Sequence, residues 1–181
     1  MFEKCQASSR IYDGRVLNLR VDQVLLEDGT QSTREVVEHR GAVAIVPLLN
    51  NDHVLLVRQY RYPIGKELLE IPAGTLEIGE DPQTAAEREL EEETGYKSER
   101  LTKITEIYMA PGYATEKIHV YLATNLQRSK PQLDEDERIE IESIAFSAAL
   151  QKVRSGEICD AKTVCGLYRA EEFTMRKSTE A

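Results

Sequence analysis

No two cysteines in this chain have CxxC spacing, and that removes two classes of protein at once. Cys5, Cys159 and Cys165 are odd in number and scattered, so neither a structural zinc site nor a secreted disulfide scaffold fits them. They read as reduced thiols of a cytoplasmic protein. Basic charge is also short: 23 Lys and Arg stand against 32 Asp and Glu, a net charge of −9. That excess argues against a nucleic-acid surface, whose affinity for phosphate rests on surplus Lys and Arg. It leaves small anionic substrates open, provided a divalent cation supplies the missing positive charge. Long apolar runs are missing too. Nothing approaches the ~18 residues of a membrane span, and the opening Met-Phe-Glu-Lys-Cys-Gln has no signal-peptide core. There is no repeat, no low-complexity tract and no stripe of basic and aromatic residues suited to RNA. His39, His53 and His119 are dispersed without metal-ligand spacing, and the serines sit in no visible nucleophile motif.

What is present is an ordered alternation of strand and helix signals. The 181 residues suffice for one domain, or one with a small appendage. From Val16 to Val24 apolar Leu17, Leu19 and Val21 alternate with polar residues at strand spacing. Glu27-Asp28-Gly29 offers a turn and Arg34 to Glu38 resumes an extended pattern, which predicts a small antiparallel unit. Ala42 to Leu49 and Val54 to Val57, separated by Asn50-Asn51-Asp52, read as a hairpin of central strands. A Pro/Gly loop, a short strand at Leu68 to Ile71 and the loop Pro72-Ala73-Gly74 come next. Pro82 to Thr94 is the clearest helix, with Asp81 at the N-cap, Pro82 at its first position and Gly95 as the stop. Strands near Ile104 to Tyr108, Ile118 to Ala123 and Ile139 to Ile144 follow. Helices at Ser147 to Arg154 and Ala161 to Phe173 end the chain, the second capped by Asp160. This order predicts an α/β layered domain.

On the central helix Glu89, Glu92 and Glu93 are three and four residues apart and share one side. Crowded carboxylates repel unless a cation bridges them, and magnesium is the expected bridge because it is hard, takes oxygen ligands and keeps waters. Taken alone, Glu91-Glu92-Glu93 is an ordinary solvated helix face. The spacing around it changes that reading: Gly74, five residues, Glu80, seven residues, then Arg88-Glu89-Leu90-Glu91-Glu92-Glu93-Thr94-Gly95-Tyr96. The segment resembles the Nudix box, Gx5Ex7REUxEExGU with U apolar, and matches every specified place, Tyr96 filling the last apolar slot. Nine such places coincide by chance in on the order of one chain in ten million.

The resemblance implies a Nudix α/β/α sandwich with a mixed sheet over residues 41–181, preceded by the antiparallel β unit of residues 1–40. It implies magnesium, with manganese as a substitute, held by Glu89, Glu93 and the backbone carbonyl of Ala73. Glu92 is an additional or water-mediated ligand, and Arg88 orients the carboxylates by bidentate pairing. Glu80 resembles the loop glutamate of the box. Metal-activated water then attacks a diphosphate whose charge the cations neutralise.

Further stretches resemble the branch of ADP-ribose pyrophosphatases and nucleoside diphosphate sugar hydrolases. They are Pro111-Gly112 sixteen residues after Gly95, Arg34 to Ala42, Arg58 to Pro63, and Gly156 to Thr163. By that likeness Arg34 and Arg61 grip the nucleotide or its diphosphate and Glu116 contacts substrate hydroxyls. Tyr12, Tyr60 or Tyr113 is left to stack on the base. The acidic loop Asp134 to Glu137 supplies Glu135 as the base and Glu137 as a metal ligand; the reverse assignment, and Glu140 as base, stay open. The expected substrate is ADP-ribose or a related nucleotide sugar. GDP-mannose hydrolysis and a non-catalytic nucleotide-sugar sensor are the alternatives. The branch also implies a homodimer in which the N-terminal unit contributes to the partner's pocket, with no nucleic-acid or membrane partner.

Overall fold

A computed structural model describes residues 2–50, 52–130 and 138–179, with side chains to residue 175. The chain divides into two compact units, residues 1–41 with 108–117, and residues 42–107 with 118–181. The first unit is thus not one continuous stretch, as a division at residue 40 would have it. It takes in the Pro111-Gly112 segment from seventy residues downstream.

In the first unit three antiparallel strands lie in chain order, β1 (Glu3–Asp13), β2 (Asn18–Leu26) and β3 (Gln31–Glu38). The expected turn joins β2 to β3: Asp28 Oδ1 accepts from the Thr30 backbone N–H at 2.9 Å and Gly29 takes φ +85°, a left-handed conformation that favours glycine. β1 departs from expectation. Glu3 to Asp13 has no apolar alternation, and all eleven residues are exposed. Polar rungs hold it instead. Ser8 donates to Asp22 at 2.6 Å, and Arg10 and Arg20 both pair with Glu38. The returning segment docks on β3 through its backbone, the Val37 N–H donating to the Tyr113 carbonyl at 2.8 Å and the Thr115 N–H to the Val37 carbonyl at 2.9 Å.

The second unit is built on a seven-stranded mixed sheet. Its strands are β4 (Ala42–Leu49), β5 (His53–Arg61), β6 (Lys66–Glu70), β7 (Ala73–Thr75), β8 (Tyr96–Tyr108), β9 (Lys117–Arg128) and β10 (Ile139–Ala145). The order is β10-β5-β4-β9-β8, with β6 on β5 and β7 on β4. β4 and β9 run parallel, from Ala42↔Ile118 to Pro47↔Ala123. β4 is buried at its first seven positions, the continuous apolar run of a strand covered on both faces. Its proline is accommodated by a change of neighbour. One edge pairs with β7 over Ala42 to Ala44 and with β5 at Leu48 and Leu49. The Ile45 N–H points to that edge, to the Pro72 carbonyl. By alternation position 47 faces the gap between the two ladders, where no N–H is needed.

Helices cover both faces. α1 (Pro82–Thr94) presents Ala85, Ala86 and Leu90 to Val43, Ile45, Tyr121 and Ala123. On the opposite face lies α3 (Ala161–Thr179), close enough at Gly166 that an added Cβ would stand 2.8 Å from Ile71 Cδ1 and 3.2 Å from Val46 Cγ2. α2 (Phe146–Ser155) lies between β10 and α3. This is the expected α/β/α layering. The caps of α1 also match the sequence reading: Asp81 Oδ2 accepts from the Gln83 and Thr84 N–H groups at 3.0 and 3.1 Å, and Gly95, at φ +68°, donates to the Glu91 carbonyl. Two expectations were too short. β8 begins at Tyr96 rather than Ile104, and Ala73 and Gly74, expected as part of a loop, pair with β4 within β7.

Candidate active site

α1 and β7 bring the acidic residues together. Arg88, near the middle of the helix, spends its whole guanidinium on carboxylates. Nε and Nη2 donate to the two oxygens of Glu80 at 3.0 and 3.1 Å, while Nη1 donates to Glu89 at 2.7 Å and to Glu92 at 3.0 Å. Glu80 in turn accepts from the Glu77 N–H at 2.9 Å and so ties down the loop entering the helix. These hydrogen bonds raise the Arg88 pKa above its ordinary value, those from Glu80 foremost, and hold the Glu80 carboxyl below the usual range.

Glu93 lies one turn beyond Glu89 and is only 4% exposed. Its Oε2 accepts the Ala73 N–H at 3.0 Å, so the strand that carries Ala73 is fastened to the helix at that point. Glu89 owes its position to an absence. A Cβ on Gly74 would fall 1.9 Å from its Cδ and Oε1 and 2.3 Å from its Oε2. Gly74 is not among the positive-φ residues. Glycine is needed there for room, not for backbone freedom.

Sequence spacing predicted that Glu89, Glu92 and Glu93 converge, and the structure qualifies this. All three flank Arg88 or β7, but among the described residues no three acidic, His or Cys side chains are gathered closely enough to enclose an ion. Glu89 and Glu92 share Arg88 Nη1, while Glu93 takes the Ala73 amide. The donor set still fits a hard divalent cation. Three carboxylates (Glu80, Glu89 and Glu92) share one guanidinium, Glu80 and Glu89 nearly buried, and buried Glu93 lies one turn along the same helix. Surplus negative charge held out of water favours an ion with oxygen ligands.

Of the remaining predicted residues, Arg61 stands near enough to Glu93 to feel its charge, and the others lie apart. Arg61, at the end of β5, donates through Nε and Nη2 to Glu70 at 2.8 and 2.7 Å. Arg34 lies on β3 in the first unit. Its Nε and Nη2 donate to Glu3 at 2.9 and 2.6 Å, and its Nη1 to Ser32 and the Thr33 carbonyl. Glu116, half-buried, belongs to the same unit, and its carbonyl accepts from the Met109 N–H at 3.3 Å. Glu140 lies on β10 opposite Arg58. Glu135 and Glu137 fall outside the described residues.

Sequence reasoning missed one group entirely. Glu70 is 1% exposed and is held by Arg61 and by Lys162, itself 8% exposed. Burial pushes the Glu70 carboxyl up, but the two cations outweigh it and leave its pKa below the ordinary value. The signal was a lone charge inside the apolar run Leu68-Leu69-Glu70-Ile71.

Residues 38–164 match the NUDIX domain family, and residues 3–37 match the nucleoside diphosphate sugar hydrolase N-terminal domain. The chain belongs to the Nudix family. Among similar proteins, an ADP-ribose pyrophosphatase of Bacillus subtilis (strain 168) is 42% identical over 99% of this chain and 96% of its own length. A methanol dehydrogenase activator of Bacillus methanolicus is 44% identical over 90% and 89%. A GDP-mannose pyrophosphatase of Salmonella paratyphi B (strain ATCC BAA-1250 / SPB7) is 40% identical over 76% and 80%. A crystal structure of an ADP compounds hydrolase superposes with a TM-score of 0.87, covering 98% of this chain and 96% of its own at 23% identity. That likeness establishes the fold. As a Nudix pyrophosphohydrolase the chain is expected to need a divalent metal, with which the carboxylate set on α1 agrees.

Proposed function

We propose that this protein hydrolyses the diphosphate bond of a nucleoside diphosphate sugar, ADP-ribose or a close relative, giving a nucleoside monophosphate and a sugar phosphate. The observation that carries the reading is the seating of Glu89 in the space left by Gly74, against Arg88, one turn from Glu93 on the Ala73 amide. Whole-length similarity to an ADP-ribose pyrophosphatase supplies the substrate class.

In this reading Glu89, Glu93 and the Ala73 carbonyl hold magnesium, or manganese in its place, with Glu92 as a further or water-mediated ligand. When bound, the metal neutralises the diphosphate and makes its water acidic enough to attack. Arg88 keeps the carboxylates ionised and oriented. Arg61 and Arg34 bind the anionic substrate, each giving up part of its pairing with Glu70 or Glu3, and Glu116 accepts from sugar hydroxyls. Glu135 takes the proton of the attacking water and Glu137 assists as a ligand.

The test is a panel of nucleotide sugars, dinucleoside polyphosphates and nucleoside triphosphates, assayed for released monophosphate with magnesium and with chelator. Strong turnover of ADP-ribose, abolished by chelator, is expected. GDP-mannose as the preferred substrate would favour the second reading, which the 40% identical GDP-mannose pyrophosphatase supports. Tight binding of ADP-ribose with no hydrolysis in millimolar magnesium would point instead to a sensor.

We also propose that the enzyme acts as a cytoplasmic homodimer. β1 is the edge of its sheet and wholly exposed, and Ile11 and Tyr12 on it and Val16 just after it present apolar surface, a face suited to a second copy. Light scattering should give twice the 20.5 kDa chain mass. A monomeric mass at micromolar concentration refutes the assignment.

A further inference from the structure

The buried polar cluster between β6 and α3 lies outside the Nudix box, yet it touches both the substrate arginine and the strand that leads to Ala73. Glu70, at the end of β6, shares its carboxylate between two cations. Arg61 takes both oxygens, and Lys162 donates to Oε2. Lys162 Nζ also stands 3.1 Å from Asp160 Oδ2. Asp160 caps α3, accepting from the Thr163 N–H at 2.9 Å and from Thr163 Oγ at 2.6 Å. Thr163 Oγ1 then accepts the Ile71 N–H at 3.0 Å. Two residues on, the Ala73 N–H is held by Glu93. The first turn of α3 therefore grips the segment between β6 and β7 at two neighbouring points, the Glu70 side chain and the Ile71 backbone.

The charges explain what Lys162 does there. Glu70 and Asp160 bring two negative charges, Arg61 and Lys162 two positive ones, and the four are coupled through single oxygen atoms. A bidentate carboxylate matched by nothing else would cancel the charge of Arg61 and leave little to attract a diphosphate. With Lys162 drawing on the same oxygen, Glu70 orients the guanidinium without neutralising it alone. Nη1 is the guanidinium nitrogen that Glu70 does not use.

We infer that Lys162 is a positioning residue for substrate binding, acting through Glu70 on Arg61; this rests on the proposed role of Arg61 in gripping the diphosphate. Lys162 keeps the cluster neutral, so that Arg61 retains positive charge for an anionic ligand. Removing that cation makes the cluster negative and turns the guanidinium inward onto Glu70. The expected signature is therefore a defect in binding rather than in chemistry.

The experiment is steady-state kinetics on ADP-ribose with Lys162→Met, Lys162→Arg, Arg61→Ala and the double variant Arg61→Ala/Lys162→Met, each checked by thermal melting. Lys162→Met should raise KM about tenfold while kcat falls less than threefold, and Lys162→Arg should recover most of the loss. The double variant should have the KM of Arg61→Ala alone, because the lysine has nothing left to act through. Additive effects in the double variant, or an unchanged KM in Lys162→Met, overturn the inference. Should Lys162→Met fail to fold, Lys162→Gln, which keeps a hydrogen-bond donor towards Glu70 without the charge, takes its place. It should again raise KM at least fivefold, and a wild-type KM there refutes the role. An unchanged KM in Arg61→Ala would instead defeat the assignment of Arg61 itself.

Discussion

Replacing Gly74 with alanine would place a methyl carbon 1.9 Å from the Glu89 carboxyl carbon, where ordinary contact begins near 3.4 Å. The backbone at this position is not left-handed, so it accepts alanine and the side chain must yield. The carboxylate has to retreat by roughly 1.5 Å, which takes it out of reach of Arg88 Nη1, now 2.7 Å away. The displaced atoms are the tip of a flexible chain, so the fold loses only one partly exposed ion pair, worth about 1 kcal/mol or less. Lower entropy of the unfolded chain offsets part of that. Catalysis should suffer far more, because misplacing a catalytic group by about 1 Å costs on the order of 100-fold. We expect Gly74→Ala to melt within about 3 °C of wild type and to lose 10²- to 10³-fold in kcat, in keeping with that cost of misplacement. It should also need more magnesium for half-maximal rate. Measured with saturating ADP-ribose across a magnesium titration, wild-type kcat and magnesium dependence would refute the reasoning. So would Gly74→Ala/Glu89→Ala being much worse than Glu89→Ala alone.

Three further outcomes follow from the same geometry. Glu93→Gln keeps an oxygen for the Ala73 N–H but removes the charge, so activity should fall at least about 100-fold with an unchanged melting curve; retained activity would sink the metal role of Glu93. Glu70, whose folded pKa lies below its ordinary value, contributes stability that is present above pH ~4.5 and is lost as pH falls through the depressed folded pKa. Urea unfolding should show Glu70→Gln weaker than wild type by roughly 3 kcal/mol at pH 7, with the gap closing towards pH 3; a gap independent of pH would contradict the ion-pair account. Asp81→Ala deletes a cap that serves two backbone N–H groups and should cost about 1 kcal/mol, a drop of 2–4 °C in melting temperature by calorimetry; no change would show that Pro82 and the core hold the first turn without it.

Much of the fold could be read from local signals. Asp81, Pro82 and Gly95 mark α1 at both ends because capping depends only on residues a few places apart. The buried run Ala42 to Leu49 announces a central strand for a similar reason. β1 escaped because EKCQASSRIYD buries nothing on either face, so it carries no alternation and pairing alone makes it a strand. The first half of β8 escaped because its half-buried positions, Tyr96, Ser98, Leu101 and Thr102, are partly polar and broken in spacing. The joining of residues 108–117 to the N-terminal unit escaped as well, since it rests on two backbone hydrogen bonds to Val37 that leave no mark on composition. In the site, the box spacing identified Arg88, Glu89, Glu92 and Glu93, while the clamp of Glu70, Arg61 and Lys162 joins residues 92 positions apart.

By itself, then, the order of residues determined which carboxylates ride on which side of α1, where that helix starts and stops, and what chemistry so many oxygen donors could support. Those are consequences of a 3.6-residue repeat and of capping, both short-ranged. Only the tertiary structure decided that Gly74 is there to leave space for Glu89, that Ala73 hangs from Glu93, and that the two basic side chains around Glu70 share one buried charge. Such contacts form between segments that meet only when the sheet closes, and no local rule encodes the distance between them.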